Sequence, residues 1–234
     1  MYDMLCPGCG HRTAMMILDE LIENQQLKER VVLALDVACC SLLIDFVNYD
    51  SIMCAHGRVL DVTKGYKEIR KENIVISYMG DGAAYSIGME EMLHSARRND
   101  DALIIVINNG LYSMTGGQKS PTYIDVKSQN DKITTTNSLN KPRQVYNGFL
   151  IENVISKLPI NYLARASLTD KDNIDIAKKY IEKALKKYIN TGGFNMVELL
   201  SPCPTNYKLT PKDMIDRINN EFTKIYKIME FVDA

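Results

Sequence analysis

Short runs of branched aliphatic residues that alternate with amphipathic helical patterns constrain this chain more than any other feature. Val31 to Leu35, Ile74 to Met79, Leu103 to Ile107, Tyr162 to Ala166 and Phe194 to Leu200 read as strands. The run from Leu103 to Ile107 is β-branched or Leu throughout, the pattern of a parallel strand covered on both faces. Between and around these runs the apolar period changes to that of a helix. Ala14, Ile17, Leu18, Leu21 and Ile22 predict a helix from about His11 to Leu27, and Ile174, Ala177, Ile181, Ala184, Leu185 and Tyr188 predict another over Lys171 to Tyr188. A short helix is expected near Thr63 to Arg70, and a longer one from Gly82 to Arg98. Thr210-Pro211-Lys212-Asp213 resembles a capping box with proline at the first helical position, which opens a terminal helix to about Phe231. The predicted fold class is therefore α/β: a doubly wound, mostly parallel sheet with helices on both faces, binding its ligands beyond the carboxyl ends of the strands.

At 234 residues the chain suffices for one large domain, read as spanning residues 1–234. Its 28 basic and 29 acidic side chains nearly cancel, so a nucleic-acid partner is not expected. The longest strongly apolar run, Ala102 to Ile107, is too short to cross a bilayer, and no signal peptide is legible, so a cytoplasmic protein without a membrane partner is expected. Six cysteines in a reducing compartment suit metal ligation better than a disulfide framework.

Two groups of residues carry chemistry. Gly80-Asp81-Gly82 follows one predicted strand and Asn108-Asn109 ends the next, which puts a carboxylate and a carboxamide at neighbouring strand tips. Either motif alone is usually a turn. Together they suit a diphosphate and its divalent cation. Backbone N–H groups of a strand-to-helix turn receive the phosphate, and glycines allow close approach. Magnesium takes about six oxygens, and Asp81, the Asn109 side chain and a nearby carbonyl, for which Leu111 is best placed, would supply three of them. Asn109 to Arg143 lacks sustained periodicity, and a stretch of that length in a compact domain is usually functional or mobile.

Cys6 and Cys9 form a CxxC pair ahead of a helix, the adjacent pair Cys39 and Cys40 lies in the turn after the first strand, and Cys203 follows the last strand between two prolines. Four thiolates from such turns can hold an iron–sulfur cluster or a structural zinc, and spacing does not choose between them. Gly10 occupies the place where haem attachment needs a histidine. The basic run Lys178-Lys179, Lys183, Lys186-Lys187 falls off the apolar stripe of its helix and reads as a solvated face.

The pairing of Gly80-Asp81-Gly82 with Asn108-Asn109 resembles the thiamine diphosphate motif. The segment from Asn108 to Gln118, with Cys6-Pro7-Gly8-Cys9-Gly10-His11, His56-Gly57-Arg58 and Ser201-Pro202-Cys203-Pro204-Thr205, resembles β subunits of 2-oxoacid:ferredoxin oxidoreductases. The resemblance runs from Cys6 to about Tyr207, and the stretch from Cys40 to Tyr49 looks closest to the 2-oxoisovalerate type. It implies a thiamine diphosphate-binding fold that contributes the diphosphate-binding domain, and oxidative decarboxylation of a 2-oxoacid to acyl-coenzyme A. It implies thiamine diphosphate held by Gly80, Asp81, Gly82, Asn109, Leu111, Thr115 and His56, with His56 also the catalytic candidate. It implies Mg2+ on Asp81, Asn109 and Leu111, and a 4Fe-4S cluster on Cys6, Cys9, Cys40 and Cys203, passing electrons to ferredoxin. An α subunit with the pyrimidine-binding domain is the implied partner, possible further subunits being ferredoxin-like.

Two departures from that family bear on specificity. Ala83 stands where many members have a second aspartate, and Leu42 and Leu43 follow Cys40 where pyruvate- and 2-oxoglutarate-type members have basic or small polar residues. Aliphatic side chains there would suit an apolar, branched-chain 2-oxoacid. The alternatives are a member specific for pyruvate, 2-oxoglutarate or aryl pyruvates, or a non-catalytic zinc-binding scaffold.

Overall fold

The computed structural model describes residues 4–125 and 148–234. The part of the long stretch to Arg143 that follows Asp125 lies outside the described residues.

The elements follow in the order α1 (Gly10–Asn24), β1 (Val31–Asp36), β2 (Asp50–Cys54), α2 (Val59–Ile69), β3 (Ile74–Gly80), α3 (Met89–Arg98) and β4 (Ala102–Asn108). Then come a small hairpin of β5 (Leu111–Tyr112) and β6 (Gln118–Lys119), α4 (Glu152–Ile155), β7 (Tyr162–Ser167), α5 (Lys171–Thr191) and β8 (Phe194–Leu200). The chain closes with α6 (Pro204–Tyr207), α7 (Pro211–Arg217), α8 (Thr223–Ile225) and β9 (Met229–Asp233). A seven-stranded sheet has the order β2-β1-β3-β4-β8-β7-β9. Every neighbouring pair is parallel except β7 with β9.

Period-two alternation divides the core between the two faces. Leu33, Leu35, Ile76, Leu103, Ile105 and Ile107 pack with α1 and α5 on one side. Val32, Ala34, Val75, Met79, Ile104 and Val106 pack with α2 and α3 on the other. Each Val, Leu or Ile so buried contributes roughly 1.5–3 kcal/mol relative to exposure. The central strand β4 is buried at all seven positions, as its sequence predicts.

The helix α1 buries Ala14, Ile17, Leu18, Leu21 and Ile22, the expected stripe. At the start of α5 the Asp170 side chain accepts from the Asn173 N–H, and at the start of α7 Thr210 accepts from the Asp213 N–H, so both helices are capped by their own sequence.

Two elements depart from the sequence reading. The expected terminal helix stops at Ile225, because the open edge of β7 gives the last residues a better set of partners. Met229–Asp233 pair antiparallel with β7, Glu230 accepts from Tyr162 Oη at 2.8 Å, and the Phe231 ring packs 5.0 Å from the Arg165 guanidinium. At the other edge, Asp50–Cys54 forms β2, in a stretch whose polar residues hide a strand that is only half buried.

The chain enters at β1, steps outward to β2, then crosses back to β3 on the other side of β1. The carboxyl ends of β1 and β3 therefore diverge at a topological switch point, where open α/β sheets form a crevice.

Candidate active site

Asp81 directly follows β3 and begins a helical turn that runs through a π-helical segment, Ala83–Ile87, before α3. Its carboxylate is 1% exposed. One oxygen accepts hydrogen bonds from the hydroxyls of Ser120 and Thr122, and the other lies 3.5 Å from the Asn109 N–H. Burial outweighs those donors and raises the carboxyl to about 6. Among the described residues no Lys or Arg offsets the charge, and the hydrogen bonds to the carboxylate come from neutral donors. Such a group suits a bound cation, because ligation is what compensates its lost hydration.

Asn109 lies just past β4, beside Asp81. Its Oδ1 accepts from the Leu111 N–H at 3.0 Å and from Ser113 Oγ at 3.2 Å, which turns the carboxamide toward the crevice. The preceding Asn108 points the other way and donates to Glu198 Oε1 at 2.7 Å. Tyr112 of the β5–β6 hairpin lies directly over Gly82, where a Cβ would fall 2.3 Å from the ring. Only glycine permits that approach. Thr115 is exposed at the rim and donates to Gln118 Oε1 at 2.6 Å, closing the hairpin.

The histidine of His56-Gly57-Arg58 also reaches the crevice. Its Nδ1 is 2.7 Å from Asp36 Oδ2, and the Gly57 N–H donates to the other Asp36 oxygen at 2.7 Å. Asp36 is fully buried at the tip of β1. Burial raises its carboxyl, and the Gly57 N–H and His56 pull it back down. Sequence reasoning missed Asp36. Its one signal was an acidic residue closing an otherwise apolar strand.

Cys6, Cys9, Cys39 and Cys203 lie near enough to one another that charge on one raises the thiols of its neighbours. Burial raises the Cys9 thiol to about 12, and charge on Cys203, Cys39 or Cys6 pushes it the same way. The Cys39 thiol rises to about 11 through burial and through Cys203 and Cys6. Cys40, the expected ligand, is 1% exposed beside Leu43, and burial together with charge on Asp36, Cys39 and Cys9 raises its thiol. Both cysteines sit in a 3-10 turn, Cys39–Asp45, where successive side chains diverge by a third of a revolution, so adjacent residues cannot face the same way. Among the described residues, no three His, Cys, Asp or Glu side chains stand close enough to hold a single metal ion.

One cavity of about 320 Å³ unites these groups. His11, Val37, Cys39, Cys40, His56, Asp81, Ala83, Asn109, Leu111 and Met114 are among the residues that line it. His11 is buried, its Nδ1 3.0 Å from Tyr78 Oη, and burial lowers the imidazole to about 4. Leu42 and Leu43, expected near a substrate, instead pack into the core, and the apolar wall comes from Val37, Ala38, Ala83, Leu111 and Met114. No helix among the described residues is long and apolar enough to cross a membrane.

Residues 36–199 match the family model of the thiamine pyrophosphate enzymes, C-terminal TPP binding domain. The ketoisovalerate oxidoreductase subunit VorA of Methanothermobacter thermautotrophicus is 30% identical over 235 residues, 97% of this chain and 47% of that protein. The chain thus spans about half the length of that relative. The 2-oxoglutarate synthase subunit KorB of Methanocaldococcus jannaschii is 31% identical over 218 residues, 91% of this chain and 75% of its own. The 2-oxoacid:ferredoxin oxidoreductase subunit beta of Saccharolobus solfataricus is 31% identical over 229 residues, 96% of this chain and 68% of its own. In fold, the chain is similar to a solved 2-oxoglutarate:ferredoxin oxidoreductase from Magnetococcus marinus with 2-oxoglutarate, coenzyme A and succinyl-CoA bound. The TM-score is 0.73 at 24% identity, covering 94% of this chain and 70% of that one.

Proposed function

Because this chain belongs to the thiamine pyrophosphate enzymes, as a relative of 2-oxoacid oxidoreductase subunits, we propose that it is the β subunit of a 2-oxoacid:ferredoxin oxidoreductase. The reaction is oxidative decarboxylation of a 2-oxoacid with coenzyme A to acyl-coenzyme A and carbon dioxide, the electron pair leaving singly toward ferredoxin. The observation that carries this reading is the shared cavity, which Asp81, Asn109 and the turn bearing Cys39 and Cys40 all line.

Thiamine diphosphate, when bound, supplies the electron sink that decarboxylation requires. Asp81, the Asn109 carboxamide and the Leu111 carbonyl would hold Mg2+ against its diphosphate, while the turn from Gly80 to Gly82 receives the phosphate and Thr115 closes the rim. His56 is the proton-handling candidate. Asp36 fixes its Nδ1, which leaves Nε2 to face the cavity in one tautomer.

Cys6, Cys9, Cys39 and Cys203 would hold a 4Fe-4S cluster, with Cys39 in place of Cys40. A cubane takes each thiolate on a different iron, so it can draw its sulfurs from separate loops, as these cysteines before α1, after β1 and after β8 are arranged.

The substrate is an apolar, branched-chain 2-oxoacid. The cavity wall carries Val37, Ala38, Leu111 and Met114 and, among its described lining residues, no Lys or Arg to offset a second carboxylate. That lining also contains no glutamate to engage the aminopyrimidine, and Val37, Ile87 and Met114 leave apolar side chains exposed. Both facts support an α subunit that brings the pyrimidine-binding domain over this face.

Anaerobic purification with the accompanying subunits, addition of Mg2+ and thiamine diphosphate, and assay of 2-oxoisovalerate, pyruvate, 2-oxoglutarate and aryl pyruvates with coenzyme A and a viologen tests the reading. Viologen reduction fastest with 2-oxoisovalerate is expected. A colourless protein without activity on any of them overturns it.

A further inference from the structure

Ser113 stands between the two halves of the site. Its Oγ is 3.2 Å from Asn109 Oδ1 and 3.3 Å from Cys203 Sγ. A serine hydroxyl has one proton, so it can donate to one of these neighbours at a time. In the structure it donates to Asn109, whose Oδ1 also accepts from the Leu111 N–H, and both lone pairs of that oxygen are then in use. A cation arriving at Oδ1 needs one of them. The Leu111 N–H is fixed by the backbone of the turn, whereas the hydroxyl rotates freely, so the hydroxyl is the donor that yields. Cys203 Sγ is the acceptor waiting on its other side.

The surroundings keep this relay in register. Asn206 Nδ2 donates to the Ser113 carbonyl at 2.9 Å and lies 3.6 Å from Cys203 Sγ, which ties the serine backbone to the sulfur loop. Gly117 has φ of +81°, and a Cβ there would fall 3.0 Å from the Asn206 Cβ, so the hairpin presses Asn206 into place. Tyr207 Oη donates to the Asn109 carbonyl at 3.0 Å, a second tie between the same two loops.

We propose that Ser113 is a positioning residue that couples the two sites: occupancy of Asn109 Oδ1 by the divalent cation turns the Ser113 hydroxyl onto the Cys203 thiolate. The inference rests on the cofactor reading above. No bond is made or broken. A hydrogen bond donated to a cluster thiolate stabilises the reduced form, so the cluster becomes easier to reduce when the diphosphate site is filled. Electrons are then accepted most readily when the cofactor that releases them is in place.

The test is a redox titration of the cluster in the anaerobically purified full chain with its accompanying subunits, followed by electron paramagnetic resonance, with and without Mg2+ and thiamine diphosphate. Wild type is expected to titrate at a higher potential when loaded. Ser113→Ala is expected at a lower potential than loaded wild type, with the loading shift reduced or lost, and Ser113→Thr, which keeps a hydroxyl, is expected to restore it. A wild-type potential indifferent to loading, or a shift in Ser113→Ala as large as in wild type, overturns the coupling while the cluster itself stands. Absence of any cluster signal in wild type overturns the reading of the sulfur site and the coupling with it.

Discussion

Asn108 Nδ2 donates to Glu198 Oε1 at 2.7 Å across the β4–β8 pair, and the other oxygen of that carboxylate accepts from Arg165 Nε at 2.5 Å. The residue beside Asn109 is thus fixed to a charge pair buried in the sheet. Arg165 also donates to Glu152 on α4, at 2.9 Å and 2.5 Å, and its guanidinium lies 5.2 Å from the Tyr226 ring. Removing one partner of such a network leaves the others charged and without water. Arg165→Met is expected to cost about 3–5 kcal/mol of stability. Urea unfolding followed by circular dichroism measures it, and a loss within about 1 kcal/mol would show that the pair is solvated in the working protein.

The carboxylate of Asp81 is the charged half of the proposed oxygen site. Asp81→Asn keeps its size and a carbonyl acceptor for Ser120 or Thr122, and removes the charge. Affinity for thiamine diphosphate in excess Mg2+ is expected to fall by at least about 100-fold, the upper end of what loss of even an outer partner of a ligand causes. The brown colour of the sulfur site should persist. Calorimetric titration of cofactor into the variant decides the first point, and an unchanged affinity contradicts the assignment.

Substitution of the two neighbouring cysteines distinguishes their proposed roles. Cys39→Ser is expected to lose iron and visible absorption, because a cluster thiolate is removed. Cys40→Ser is expected to keep both and instead lower the melting temperature, since a hydroxyl placed in that part of the core without a partner costs roughly 1–3 kcal/mol. Iron analysis of the two purified variants, with the reverse pattern as the contrary outcome, tells which sulfur serves.

Asp36→Asn changes the proton inventory of His56 without changing its volume. An amide can present its nitrogen or its oxygen to Nδ1, so the tautomer is no longer enforced. Turnover with viologen is expected to drop about 10–100-fold while cofactor affinity stays within twofold or so, the range for losing an orienting partner. His56→Gln should then add little in the Asp36→Asn background. Independent, multiplicative losses would mean that the two residues do not act as a unit.

The parallel core was legible because burial on both faces leaves a plain mark: β4 is apolar from Ala102 to Ile107, and β8 is buried throughout and apolar except at Asn195 and Glu198. The edge strands were not. β2 and β9 bury only part of their residues, so their sequences carry no clear period and they owe their existence to a neighbour that sequence cannot supply. The strand-tip motifs of the site were legible for a similar reason. Asp81 and Asn109 stand at ends that the pattern itself defines. Ser120 and Thr122 were invisible and Asp36 nearly so, since each matters through a partner 20 to 41 positions away. Cys39 and Cys40 could not be told apart from sequence because their difference is one of direction, set by a 3-10 turn that no residue in it announces.

The β4–β8 ladder does not stop where the strands do. Ser201 N–H donates to the Asn108 carbonyl at 2.8 Å, so the pairing runs on to the roots of the two loops that bear Asn109 and Cys203. If the two proposed sites are as assigned, the gap between the place where electrons would be released and the place where they would be received is measured out by main-chain spacing, a ruler that side-chain replacement does not alter. Substitutions in the pocket wall of this chain would then change which acid fits while leaving the length of that jump the same.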